Sequence, residues 1–140
     1  MVGEIRGAEV TAMLLAMSQG SQGSLGSIHA DSSRGAFARL AMYAAMSAER
    51  LGPADTNRLV AGSVNLVVHL AWVGGVRRVT SVREITGVAD SGEVASNEVW
   101  APGPDGRAVP TAPLTHALAE RLRAFGFDPA SLRGEQEWLR

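Results

Sequence analysis

The sequence predicts an α/β protein with an antiparallel strand meander near residues 64–85 and a closing helix, and three observations carry that prediction. Val10, Met13, Leu14 and Met17 fall at i, i+3, i+4 and i+7, the stripe of an amphipathic helix. Val64, Leu66, Val68 and Leu70 alternate to one side, as a strand requires. Gly74-Gly75 then separates this run from a second one, a two-residue hairpin signal.

The elements follow in chain order. The first helix spans about 6–18 and stops at Gly20. A Gly/Ser-rich stretch, 18–27, leads into a short strand segment from Leu25 to Ala30. Ser32 or Ser33 is a natural N-cap for a helix at about 34–50, with Phe37, Leu40, Ala41, Ala44 and Ala48 on one face. Gly52-Pro53 ends it, and Pro53 can open a short helix through about Ala61. Strands at 64–72 and 76–85 form the hairpin. In the second, Val76, Val79, Val82 and Ile85 are spaced by three, which predicts a bulge or break near Ser81. Residues 86–112 read as turns with at most one strand, around Asn97–Trp100. A last helix at about 113–125 aligns Leu114, Leu118, Leu122 and Phe125. Asp128-Pro129 can cap a terminal turn, and the tail from Arg133 to Arg140 is expected to fray.

Composition narrows the function. The 140 residues suffice for one domain with a core. A net charge of -1 supplies no electrostatic case for nucleic acid or an anionic membrane. There are no cysteines, hence no disulfides and no thiolate chemistry, as fits a cytoplasmic protein. No signal peptide and no run of about 20 apolar residues is present. All 13 basic residues are arginine. A phosphate-binding P-loop uses lysine as a compact point charge, which the wide guanidinium fork does not replace. Schiff-base chemistry falls with the same absence. The histidines, His29, His69 and His116, have no metal-ligand spacing.

Two clusters carry the chemistry: Val2-Gly3-Glu4-Ile5-Arg6-Gly7-Ala8-Glu9, and the stretch from Gly20 to Ser32 containing Ile28-His29-Ala30. With Met13-Leu14-Leu15-Ala16-Met17 between them, they resemble the Walker B and histidine-box region of the type II/type IV secretion ATPase superfamily. The nearest likeness is to the CpaF-like branch that powers Tad/Flp pilus assembly. It continues more faintly through Val67-Val68-His69 and the final helix with its Phe127-Asp128-Pro129 tail.

The resemblance implies the C-terminal half of a RecA-like P-loop NTPase core, with 1–140 as a single partial domain. It implies that Glu4 is the Walker B glutamate, orienting the attacking water and touching Mg²⁺ indirectly, through water. His29 becomes the γ-phosphate sensor, and Arg6, Glu9, Gly23 and Ser24 line the nucleotide. ATP and Mg²⁺ are the cofactors of the complete enzyme, with none held tightly by this chain alone. A hexameric ring, an inner-membrane platform protein and a cytoplasmic location at the membrane's inner face complete the expectation. Ser21 and Gln22 stand where the family has a histidine and an acidic residue, and Asp31 where it has asparagine. The Walker A loop, aspartate box and further arginines of the family would lie upstream of Met1, as in a truncated gene or a misplaced start.

Plainer readings stand beside these. Glu4 and Glu9 can serve a helix dipole. His29 can be a hydrogen-bonded core histidine, and His69 and His116 structural or solvated ones. Asp31-Ser32-Ser33 is a helix cap rather than part of a triad, and the 10–17 stripe is core. The alternative function is a non-catalytic interaction module or remnant that packs against a full-length ATPase subunit or the membrane platform.

Overall fold

The computed structural model describes residues 3–20 and 23–128, so Ser21, Gln22, the proposed Pro129 cap and the 133–140 tail lie outside the described residues. Among the described residues the architecture is mixed α/β, with four helices and a four-stranded antiparallel sheet. In chain order it runs β1 (Glu4–Ile5), α1 (Val10–Ser18), β2 (Ser27–Ile28), α2 (Gly35–Met46), α3 (Pro53–Ser63), β3 (Leu66–Val73), β4 (Val76–Val88), β5 (Val94–Pro102), β6 (Ala108–Pro110) and α4 (His116–Arg123). β1 and β2 pair in parallel as a separate two-stranded sheet, and the meander has the order β3-β4-β5-β6.

Local chemistry sets the helix starts. The first helix begins at Val10 rather than residue 6 because the Glu9 carboxylate accepts the Arg6 and Gly7 amides, at 2.6 and 3.1 Å, and holds 6–9 in a turn. Ser32 accepts the Gly35 amide at 2.9 Å, and α2 follows. Its buried face is Ala36, Leu40 and Ala44; Ala48 lies past the helix end and is exposed. Pro53 occupies the first turn of α3, where its missing N–H costs nothing. α4 starts at His116, later than expected, because Thr115 turns its hydroxyl onto the Leu118 amide.

The meander is fuller than the sequence suggests. Gly74 and Gly75 take φ of +58° and +78°, the doubly left-handed pair of a tight hairpin turn. The expected irregularity falls at Thr80: His69 pairs with Ser81 and Leu70 with Val79, leaving Thr80 as the extra residue. β4 runs on to Val88, and β5 and β6 occupy much of the stretch that reads as turns. The β5–β6 turn leans on the outer strand at Gly106, where φ is +76° and an added Cβ would lie 2.7 Å from Val73 Cγ1. Gly106→Ala is therefore expected to destabilise by about 1–3 kcal/mol more than Gly92→Ala. Gly92 has a similar φ of +83° but open space around it, so thermal unfolding of the two variants isolates the clash.

Helices α1, α2 and α3 build the core. Val10, Met13, Leu14, Leu40, Ala44 and Val60 close it with Ile5 from β1 and Ile85 from β4, and Val67 packs against it from β3. Arg83 and Glu84 are consecutive on β4, so they leave opposite faces of the sheet. Arg83 reaches Ser33 ahead of α2, at 3.2 Å, whereas Glu84 accepts the Thr115 amide at 2.9 Å and its hydroxyl. The three-helix layer thus covers one face and α4 part of the other. The alternating row on β3 falls on the α4 side, and beyond α4 it is bare: Val68, Leu70 and Trp72 are 48, 58 and 67% exposed.

Candidate functional site

The short parallel pair assembles the chemistry by alternation. Glu4 pairs with Ser27 and Ile5 with Ile28. Side chains two residues apart leave the same face of a strand, so Arg6 follows Glu4 and His29 follows Ser27 onto one side. Ile5 and Ile28 point the other way, Ile5 buried in the core and Ile28 packed against it. The apolar pair thereby anchors a polar rim made of Glu4, Arg6 and His29.

Contacts within the rim are direct. Glu4 Oε1 lies 2.7 Å from His29 Nε2, while Glu4 Oε2 accepts from Arg6 Nε at 2.8 Å and from its terminal nitrogen. Glu4 is the sheltered member; the imidazole and guanidinium are exposed. The Arg6 guanidinium, bonded to the Glu4 carboxyl, holds it below the ordinary glutamate range despite the opposing effect of burial. The result is an ionised carboxylate held by the Arg6 guanidinium beside the His29 imidazole, both open to solvent.

Among the described residues, none of the other expected site residues bonds to the Glu4 carboxylate. Glu9 spends its carboxylate on the Arg6 and Gly7 amides, and those bonds depress its pKa too. These bonds hold the turn that precedes α1. Gly23 and Ser24 are exposed, and among the described residues no hydrogen bond ties them to Glu4, Arg6 or His29. His69 bonds Thr80 through Nδ1 at 2.7 Å, and His116 lies 3.8 Å from Glu120; neither approaches the rim.

Sequence reasoning missed a second polar group. Ser33 and Ser81 share a 2.7 Å hydrogen bond, Ser81 donates to Glu98, and Glu98 pairs with Arg83 at 3.2 Å. Arg83 also donates to Ser33 and Ser96. Ser33 lies just beyond the His29 strand, so this buried cluster ties the chain leaving the rim to β4 and β5. No spacing signal marks it, because the partners come from three distant segments.

With the geometry in view, the comparison with known families is decisive. A family model described as type II/IV secretion system protein matches residues 1–88, more than half of the 140-residue chain. The chain belongs to the type II/IV secretion system protein family. The matched span of this family member takes in the rim, all three core helices and the β3–β4 hairpin, ending at the last residue of β4. No curated protein matches the chain.

Glu4 could reach a magnesium ion through water, but among the described residues no group of three or more His, Asp or Glu side chains could enclose a metal. The chain has no lysine to grip a triphosphate.

The depressed carboxyls give a pH prediction. A carboxyl whose folded pKa lies below its unfolded value binds fewer protons when folded. Its stabilisation is whole above the ordinary glutamate range and fades as pH falls through the folded value. Wild-type protein is therefore expected to lose stability more steeply than a Glu4→Gln, Glu9→Gln variant as pH drops below that range. Denaturant melts at a series of acidic pH values check it, with the two curves converging at the lowest pH.

Proposed function

We propose that this chain is part of an ATPase motor for type II/IV-like secretion or Tad/Flp pilus assembly, where it contributes the Walker B carboxylate and the histidine-box imidazole. The observation that carries the reading is the contact of Glu4 with both His29 and Arg6 where two parallel strands end. Nucleotides in α/β sheets bind at the carboxyl ends of strands, so the rim stands where such a site would be built. The family match supports the motor reading. The RecA-like half-core, the CpaF-like branch and the hexameric ring enter as parts of this proposal.

Bound ATP with Mg²⁺ would supply the phosphoryl chemistry. Glu4, kept ionised by Arg6, is fitted to accept a hydrogen bond from an attacking water and align it. Arg6, now donating to Glu4, and His29, beside it, both carry nitrogens that can turn toward added negative charge. The lysine-bearing phosphate cradle is supplied from outside this sequence, so the chain alone does not hydrolyse ATP. Its place is the cytoplasmic face of the inner membrane, reached through a platform protein. The bare apolar row on β3 favours a second reading, an interaction module seated on a full-length subunit.

An NMR titration of the 140-residue chain with Mg-ATP tests the proposal. The expected result is binding weaker than millimolar, with shift changes centred on Glu4, Arg6 and His29. Saturation at micromolar nucleotide would contradict the external cradle. Changes elsewhere, or none at high nucleotide, would remove the site.

A further inference from the structure

The rim leaves unexplained a groove on the α4 side of the meander. It is a groove of about 720 Å³ between β4, β5 and α4. Val79, Val82 and Trp100 are among its apolar lining residues on the sheet, and Leu122 and Phe127 line it from α4 and the turn after it. Among the described residues, every charged residue lining it is an arginine: Arg77, Arg78 and Arg107. Arg107 is paired with Asp105 at 3.3 Å. Among the described residues no carboxylate pairs with Arg77 or Arg78; Arg77 instead lies over Trp72, 5.5 Å from the ring centroid.

The groove continues onto the bare row of β3. Val68 is in register with Val82, Leu70 with Val79 and Trp72 with Arg77, so the exposed side chains extend the groove lining outward. β3 is the end strand of its sheet, and among the described residues no strand pairs with its outer edge. Such an edge offers a row of main-chain donors and acceptors to an added strand. β3 also carries no charged residue that would repel one: Leu66-Val67-Val68-His69-Leu70-Ala71-Trp72-Val73.

We propose that this surface docks an extended segment of a partner protein in which apolar residues alternate with carboxylates. Its main chain would pair with the outer edge of β3, its apolar side chains would cover Leu70 and Trp72 beside Arg77, and its carboxylates, leaving the other face of the added strand, would meet Arg78, which is in register with Ala71. Charge decides against a second copy of the same strand, because β3 has no carboxylate to offer these arginines. It also decides against nucleic acid, since the floor is apolar and the chain's net charge is -1. The inference is independent of the nucleotide reading.

Fluorescence anisotropy of a labelled short peptide alternating leucine with glutamate, added to the full chain, tests the docking. The expected result is binding at least about tenfold tighter than for the leucine–lysine counterpart, weakening as salt screens the charges. An Arg77→Glu, Arg78→Glu variant, checked for folding by circular dichroism, is expected to reverse that preference. Trp72→Ser is expected to weaken both peptides. Equal binding of the two peptides, or a preference that survives charge reversal, would overturn the proposal. So would tighter binding of single-stranded DNA, or self-association of the chain that competes the peptide away.

Discussion

Leu14→Ala is expected to lower the unfolding free energy by about 3–5 kcal/mol, the range for a fully enclosed leucine. Leu14 is 0% exposed and belongs to the cluster where α1 meets Leu40 and Ala44 of α2 and Val60 of α3. Truncation removes the transfer energy of the lost methyl groups and leaves a cavity, because helices held from three directions relax little. A domain of this size has a total stability of roughly 5–15 kcal/mol, so the loss is a large share of it. The melting temperature is expected to fall by roughly 10 °C or more, read by circular dichroism. Leu15, its neighbour, is 45% exposed and serves as the control. Leu15→Ala is expected to change stability by less than about 1 kcal/mol.

The second large effect is an asymmetry within the buried ion pair. Glu98→Ala is expected to cost about 2–3 kcal/mol, and Arg83→Met clearly less. The side chain of Arg83 is 11% exposed against 34% for Glu98. Removing the glutamate therefore strands a largely buried charge, while removing the arginine leaves a carboxylate that can rehydrate and still accept from Ser81. The combined Arg83→Met, Glu98→Leu variant is expected to recover much of the loss, since apolar pairs often replace buried ion pairs at little cost. Urea titrations of the three variants decide the order; equal losses from the two single substitutions would refute it.

What was legible in the sequence follows from how far apart the interacting residues lie. Helix α1 and the β3–β4 hairpin were readable because Val10, Met13 and Leu14, or Leu66, Val68 and Leu70, repeat their pattern over short distances. The bulge at Thr80 showed in the three-residue spacing of β4. β6 escaped notice because three residues are too few to display a period. Alternation also could not say which face of β3 is covered, since it reads the same inward or outward; Trp72 settled outside. For the rim, Glu4 and His29 were paired in advance by family resemblance, and Arg6 was placed beside them by the same pattern. The contacts of Glu9 with two backbone amides carry no sequence signal. The Ser33–Ser81–Arg83–Glu98 cluster was illegible for the complementary reason: its members meet only after the sheet has folded.

The attachment of α4 sets a schedule of motion. The helix is pinned by Glu84 at its first turn and by Arg121 near Asn65, with Leu118 and Ala119 as its buried residues. It shares none of the residues that close the main core. Its amides are thus the ones to exchange with deuterium early, by a local opening that leaves the meander intact. Each such opening swings away one flank of the arginine-lined groove, making its width a fluctuating quantity.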